Sequence, residues 1–181
     1  MICEFEKFVG FRILVWFLTH PTGKIHINKL AREIGVSPGS VKSYADIFEQ
    51  DGLLTVTQIG TAKLLALDND SLVARELKRA YTVLLLARAG IEEIAPGSIT
   101  IAIYGSTALG IFDEQSDIDI LVIGDANRID HDRVLALEAA TGREAQMTTV
   151  PYYRWEQMKE ENDPFVASIL QNHILVAGAA L

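Results

Sequence analysis

The stretch IYGSTALGIFDEQSDIDILVIG, from Ile103 to Gly124, constrains the fold of this chain more than any other segment. A β-type run ends in Gly105-Ser106, a short polar connection follows, and Asp117 and Asp119 stand at the head of a second apolar run. Residues i and i+2 of a strand point to the same face. Two carboxylates so placed repel each other unless a cation lies between them. The segment therefore predicts strand, turn and strand, with a carboxylate pair where the second strand begins.

Both parts of this segment suit a phosphate ligand. A glycine at a strand-to-helix turn lets the backbone approach a ligand closely, and the N–H groups that open the next helix hold phosphate. Paired carboxylates suit Mg²⁺, which is bound by one or two carboxylates together with substrate phosphates. The alternative is that Asp117 only caps a turn and that Asp119 is merely exposed. We predict instead that Asp117 and Asp119 hold Mg²⁺ or Mn²⁺.

The motif resembles a known family. Gly-Ser, ten residues and then Asp-x-Asp within apolar strands is similar to the nucleotidyltransferase superfamily that includes DNA polymerase β, and most similar to its minimal, antitoxin-like branch. The later segment DPFVASILQNHILVAG is similar to the end of those domains. The resemblance implies that Gly105 and Ser106 contact the triphosphate of a nucleotide, with ATP as the first candidate. It also implies that Asp117 and Asp119 are catalytic, holding metals while a nucleoside monophosphate passes to a hydroxyl.

The sequence departs from that family at the third catalytic carboxylate. Family members carry it on the strand after the next helix, which the pattern places at about residues 128–140, with the strand REAQMTTV following. Gln146 stands at the corresponding position, and a neutral amide neither acts as a base nor holds Mg²⁺ as well. Glu144 lies on the same face, about 6.5–7 Å along the strand, and is the alternative catalytic carboxylate. Leu109 stands where many short branches carry an arginine.

The first half of the chain has the pattern of a helix-turn-helix. An apolar helix from Phe5 to Leu18 is followed by a short helix with Asn28 as its N-cap, and then by a helix capped by Ser37 with Pro38 at its first position. Two alternating runs around Ile59-Gly60-Thr61 predict a β-hairpin. The segment INKLAREIGVSPGSVKSYADIFEQDGLL resembles the winged-helix family.

That resemblance implies that the helix from Ser37 to Gln50 enters the major groove of DNA. The predicted DNA-binding residues are Ser40, Lys42, Ser43 and Lys63. Phosphate contacts by Lys and Arg supply most DNA affinity, and this helix offers one lysine against several carboxylates. Its partner is therefore left open between duplex DNA and another protein.

The distribution of charged residues also differs between the two halves of the chain. Residues 1–90 carry 11 Lys/Arg and 9 Asp/Glu, whereas residues 91–181 carry 5 and 15. We predict an α+β protein of two domains. The N-terminal winged helix-turn-helix domain spans residues 1–70, a linking helix residues 71–95, and an α/β nucleotidyltransferase-like domain with a mixed sheet residues 96–181.

Composition bears on membrane association and on the cellular compartment. No apolar run approaches the ~20 residues that a membrane span needs, so no membrane partner is expected. Cys3 is the single cysteine, which excludes an internal disulfide and predicts a cytoplasmic protein.

Two functions remain open at this point. The first is an Mg²⁺-dependent nucleotidyltransferase whose acceptor is a hydroxyl of a partner toxin protein, a small molecule or an RNA end. The second is a non-enzymatic transcriptional regulator or antitoxin that uses the same domain as a nucleotide sensor or scaffold. The sequence also leaves the oligomeric state open, a homodimer included.

Overall fold

The computed structural model describes residues 7–60 and 62–181. It divides into two compact units, one ending at Lys78 and one running from Arg79 to Leu181. The predicted helix start at Phe5 and the predicted turn residue Thr61 lie outside the described residues.

The N-terminal unit places three helices before its hairpin. They are α1 (Val9–Thr19), α2 (Ile27–Glu33) and α3 (Pro38–Gln50). As predicted, the Ser37 side chain caps α3 by accepting a hydrogen bond from Ser40 N at 3.0 Å. The prediction that Asn28 caps the second helix is wrong. That helix already begins at Ile27, with His26 in the capping position and no side-chain cap, because a strand runs directly into it.

The strand that precedes α2 was not predicted. It is β1 (Lys24–His26), and it pairs antiparallel with one strand of the hairpin formed by β2 (Leu54–Ile59) and β3 (Ala62–Leu67). The strand order is therefore β1-β3-β2. Leu65 of β3 is fully buried and packs with Ile13, Phe17, Leu30 and Val41, which come from all three helices. One core thus holds the helices and the hairpin together.

The next helix, α4 (Leu72–Arg88), contains the boundary between the two units. It ends earlier than the predicted linking helix because Gly90 adopts φ +83° and starts a 3-10 turn at Ile91–Glu93. Leu86 and Ile91 are buried in the core of the C-terminal unit.

The C-terminal unit contains the predicted mixed sheet. Its strands are β4 (Thr100–Tyr104), β5 (Ile118–Ile123), β6 (Ala145–Val150) and β7 (Ile174–Gly178), in the order β6-β5-β4-β7. The pair β5–β6 is parallel, while β4 runs antiparallel to both of its neighbours. Since parallel neighbours start at the same edge, the beginnings of β5 and β6 lie side by side.

Helices lie on both faces of this sheet, which explains why β5 is apolar almost throughout. The helices are α5 (Gly105–Leu109), α6 (His131–Thr141), α7 (Tyr152–Glu160) and α8 (Pro164–Gln171). Ile118, Ile120 and Val122 pack on the face of α6, while Leu121 and Ile123 pack with buried residues of α7 and α8. Alternation along β5 places Asp119 on the second of these faces.

The predicted helix at residues 128–140 is shifted in the structure. A 3-10 turn occupies Ala126–Arg128, and α6 begins at His131 because Asp130 caps it. The Asp130 carboxylate accepts hydrogen bonds from the N–H groups of Asp132 and Arg133.

None of the helices in the described part of the chain is both long enough and apolar enough to cross a bilayer.

Candidate active site

The Gly-Ser turn and the aspartate strand are in direct contact. Gly105 opens α5 immediately after β4, with φ +66°, a backbone conformation that favours glycine. A Cβ atom at this position would overlap Oδ2 of Asp119 and lie 3.0 Å from its Cγ. The backbone conformation therefore favours glycine here, and any larger residue would have to displace the Asp119 carboxylate.

The two aspartates differ in their surroundings. Asp119 lies within β5 and is half-buried, whereas Asp117 is the exposed residue just before the strand. Burial raises the pKa of the Asp119 carboxyl, and the negative charge of Asp117 raises it further. Both effects disfavour the ionised form of Asp119. A cation bound between the carboxylates would remove this penalty, so the donor set fits a hard, oxygen-preferring metal ion.

Gln146 lies directly beside Asp119. The two residues are register partners on the parallel strands β5 and β6. Glu144 precedes β6 and is exposed, and its carbonyl oxygen accepts a hydrogen bond from Ile118 N at 2.8 Å. Residues 7–60 and 62–181 contain no group of three His, Cys, Asp or Glu side chains that could hold a metal ion. Among the described carboxylates, Asp117 supplies the negative charge that acts on Asp119.

Sequence reasoning missed Arg143, the residue that precedes Glu144. Its side chain is buried, with 8% of its surface exposed. Its Nε donates to the Ser116 carbonyl at 2.6 Å, and its Nη2 donates to the Asp117 carbonyl and to Thr107 Oγ1, both at 2.7 Å. The guanidinium also stacks over the Phe112 ring, 4.1 Å from its centroid. Arg143 is one of only five Lys/Arg residues after position 90, and this scarcity was the available signal.

Three carboxylates act electrostatically on the Arg143 guanidinium without hydrogen-bonding to it, namely those of Asp113, Asp117 and Asp119. Burial lowers the pKa of its guanidinium, whereas the negative charges of Asp113, Asp117 and Asp119 raise it. In return, the positive charge of Arg143 lowers the pKa of Asp119, against the larger effect of burial. The site therefore combines a buried cation with a carboxylate pair.

The loop between α5 and β5 is held by Asp113. Its Oδ1 accepts hydrogen bonds from Ser116 Oγ at 2.8 Å and from Gln115 N at 3.0 Å. These bonds favour the ionised carboxylate, and the Ser116 hydroxyl makes the largest contribution to lowering the pKa of Asp113. The loop that leads into Asp117 is thus fixed by its own side chains.

Two aromatic side chains, those of Tyr104 and Phe165, lie on the same face of the sheet as Asp119. Tyr104 is the register partner of Asp119 on β4, and its hydroxyl forms a 2.9 Å hydrogen bond with Thr148 Oγ1 on β6. The Tyr104 ring meets the Phe165 ring edge to face, with centroids 5.6 Å apart. Burial is the main reason that the pKa of Tyr104 is raised, so this hydroxyl remains neutral.

The aromatic residues of α7 lie elsewhere. Trp155 is 1% exposed and belongs to the core, while Tyr152 and Tyr153 are exposed where α7 begins, beyond the end of β6. Tyr152 lines a cleft of about 560 Å³ together with Gly124 and Asp125. This cleft opens at the edge where β5 and β6 end, whereas Asp119 and Gln146 lie where they begin.

The predicted DNA-binding residues of the N-terminal unit have unequal environments. Lys42 and Ser43 are exposed on α3. The Ser40 hydroxyl instead hydrogen-bonds to the Ser37 hydroxyl at 2.8 Å. Lys63 on β3 forms an ion pair with Asp46 of α3, with Nζ and Oδ1 3.4 Å apart. Part of the positive charge offered by this unit is therefore already paired with a carboxylate.

Comparison with known families supports the interpretation of the C-terminal unit. Residues 87–176 match the model of the nucleotidyltransferase domain family, and the match contains the Gly-Ser turn, both aspartates and Gln146. No curated protein and no solved structure matches this chain significantly.

Proposed function

We propose that this protein transfers a nucleoside monophosphate from a nucleoside triphosphate to a hydroxyl acceptor, because residues 87–176 match the nucleotidyltransferase domain family. ATP is the first candidate for the donor. In the reaction an acceptor oxygen forms a bond to the α-phosphorus, and the bond from that phosphorus to the bridging oxygen breaks. Pyrophosphate leaves, and the hydroxyl proton passes to a base or to water.

The contact between Gly105 and Asp119 is the observation that carries this proposal. It brings the glycine turn that opens α5 against a carboxylate that is poorly stabilised when ionised. A nucleoside triphosphate complexed with a divalent cation matches both groups. Its phosphate oxygens can accept hydrogen bonds from the turn, and its cation can be bound by the carboxylates. A site built for an uncharged ligand would have no use for this pair of groups.

Each residue receives a role in this proposal. Gly105 and Ser106 hold the phosphates through backbone N–H groups and the serine hydroxyl. Asp117 and Asp119 hold Mg²⁺ or Mn²⁺, which when bound neutralises the charge that develops on the phosphates. Glu144 is the remaining candidate for a third, catalytic carboxylate and is placed beside the start of β5.

The acceptor is proposed from the resemblance to the antitoxin-like branch, in which a tyrosine of a partner toxin receives the nucleotide. A small molecule or an RNA end is the alternative acceptor. Assembly as a homodimer is compatible with either.

A second function is favoured by Gln146. An amide beside Asp119 binds a second metal ion poorly, and the domain would then bind a nucleotide without turnover. The protein would act as a nucleotide-responsive regulator or antitoxin, with the helices and hairpin of the N-terminal unit as a winged-helix head. Lys42, Ser43 and Ser40 on α3, with Lys63 on β3, would contact the phosphates of duplex DNA.

Calorimetry with ATP and Mn²⁺ tests the nucleotide site that both functions need. We expect the wild-type protein to bind the nucleotide only with the metal present, and Asp117→Ala and Asp119→Asn to lose this binding. Asp125→Asn is the matched control, because Asp125 lies at the other end of β5 and serves as the N-cap of a 3-10 turn. Wild-type protein that binds no nucleoside triphosphate with either metal would overturn the proposal.

Release of pyrophosphate then separates the two functions. A transferase produces it from ATP when the acceptor is supplied, whereas a sensor binds ATP and leaves it intact. Sequence-selective duplex binding that changes with bound nucleotide would favour the regulator.

A further inference from the structure

Arg143 links the segments that form the candidate site. It stands immediately before β6, and its side chain reaches α5 through Thr107 and the start of β5 through the carbonyls of Ser116 and Asp117. Ser116 and Asp117 are consecutive, so the Nε and Nη2 edge of the guanidinium donates hydrogen bonds to two neighbouring carbonyl groups. One side chain thus joins the helix of the Gly-Ser turn to the segment that presents the aspartates.

The acceptors indicate a geometric role for this arginine. They are two main-chain carbonyls and one hydroxyl rather than carboxylates, and hydrogen bonds to them fix the backbone. Thr107 is fully buried and Arg143 is 8% exposed, so neither side chain has the freedom of a surface contact. Among the described residues, the remaining nitrogen, Nη1, has no hydrogen-bond acceptor although it is buried. The hydrogen bonds of this arginine are thus confined to its Nε and Nη2 edge, which meets the backbone before β5 and Thr107 of α5.

We propose that Arg143 is a positioning residue of this site, which holds the Gly-Ser turn and the aspartate pair at the separation that a metal-bound triphosphate needs. The proposal rests on the proposed nucleotide binding. Arg143 contacts no reacting atom in this role. It acts through the backbone at Asp117 and through Thr107 on α5.

The chemistry of the side chain explains why lysine cannot replace it. Arginine presents five N–H donors in a rigid plane, and three of the bonds described above use two adjacent nitrogens of that plane. A lysine ammonium keeps the charge on a flexible stem but cannot grip two neighbouring carbonyls at fixed angles. Arg143→Lys therefore removes the geometry and retains the charge.

The test measures Mn²⁺ affinity in the presence of ATP, by calorimetry, for the full-length protein. We expect Arg143→Lys to weaken it about 10-fold to 100-fold, the range typical of residues that orient metal ligands. Arg133→Lys is the matched control. Arg133 is a half-exposed arginine of the same unit that pairs with Glu93 and Asp130, away from the aspartates, and its change should leave the affinity within about 2-fold of wild type.

A second pair of variants keeps the test decisive if Arg143→Lys does not fold. Thr107→Val removes the acceptor on α5 and leaves Arg143 in place, so Mn²⁺ affinity should fall in the same direction by a smaller factor. Thr107→Ser keeps the hydroxyl and should recover most of that loss. A role in stability alone would instead lower the melting temperature and leave the affinity of the folded protein unchanged.

The possible results distinguish failure of the positioning role of Arg143 from failure of the proposed nucleotide binding. Wild-type protein that fails to bind Mn²⁺ with ATP overturns the proposed function and this proposal together. Wild-type binding that persists undiminished in folded Arg143→Lys and Thr107→Val overturns the positioning role and leaves the proposed function standing. Selective loss in those two variants, with recovery in Thr107→Ser, supports the positioning role.

Discussion

Asp119 and Gln146 are register partners on two parallel strands, so an amide stands beside the half-buried carboxylate of the candidate site. The change Gln146→Asp would place a third carboxylate there. We expect nucleotide-bound protein to hold one Mn²⁺ in the wild type and two in the variant, because a second cation needs a further anionic ligand. Any transferase activity should rise, because the second cation would help to ionise the acceptor hydroxyl. Metal counting by calorimetry and a pyrophosphate assay measure the two effects.

Glu144 is the competing candidate for the third carboxylate, and Glu144→Gln tests it. If Glu144 supplies the second metal ligand, the variant should lose activity while its affinity for ATP stays nearly unchanged. Two metal ions in the wild type, both independent of Glu144, would contradict the one-metal interpretation of this site.

The raised pKa of Asp119 predicts a gain in stability on its removal. Burial and Asp117 make the ionised form unfavourable in the folded protein, so the wild type loses stability as pH rises through the pKa range of Asp119. Asp119→Asn avoids this loss. Without metal, it should be more stable than wild type at pH 7 by less than about 1 kcal/mol, since the group is partly solvent-screened. Urea denaturation in EDTA should show the difference shrink as pH falls toward 4.

Asp113→Asn is the control of opposite sign. Hydrogen bonds lower the pKa of Asp113 in the folded protein, so its carboxylate stabilises the fold above the pKa of the unfolded chain. The variant should be less stable than wild type at pH 7, and this deficit should vanish as pH falls through the lowered pKa. Deficits of the same sign at both positions would contradict the electrostatic interpretation of the site.

Gly105→Ala should damage both the fold and the site. The backbone there has φ +66°, and the added methyl group would overlap the Asp119 carboxylate. We expect a loss of more than about 1–2 kcal/mol in unfolding free energy and loss of ATP binding. Gly142→Ala is matched for backbone, with φ +69°, but its Cβ meets no atom within 4 Å. It should show the backbone penalty alone, and equal losses at the two glycines would contradict a direct effect on Asp119.

The two lysines proposed to contact DNA should contribute unequally to duplex binding. Lys42 is exposed on α3, while Lys63 is already paired with Asp46, so Lys42→Ala should weaken duplex binding more than Lys63→Ala. Log affinity falls with log salt concentration, and each lost phosphate contact makes this decline less steep by about 0.9. Fluorescence anisotropy across a salt series measures this, with Lys159→Ala of the C-terminal unit as control. Negligible binding of every duplex at low salt would exclude DNA as the partner.

Local signals in the sequence were sufficient for the elements that carry the chemistry. The strand before Gly105 and the Ser37 cap on α3 are present as predicted, because each depends on residues close together in the chain. The mixed sheet is also present, but it joins distant strands and was predicted from the resemblance to the nucleotidyltransferase family. Short elements were less predictable. Three-residue β1 has too few positions to show an alternation, and it forms because β3 offers it a pairing edge.

The sequence by itself determined that glycine, serine and two aspartates belong to the candidate site, since this set at fixed spacing admits few other uses, whereas Arg143 was found only in the structure. Only the tertiary structure decided how they meet. The register that sets Gln146 beside Asp119 joins strands separated by a whole helix, and the contacts of Arg143 reach Thr107 across 36 residues. Neither relationship has a local signal, because both follow from how helices and strands pack around β5. That packing buries Asp119 and Arg143 together and creates the electrostatics of the site.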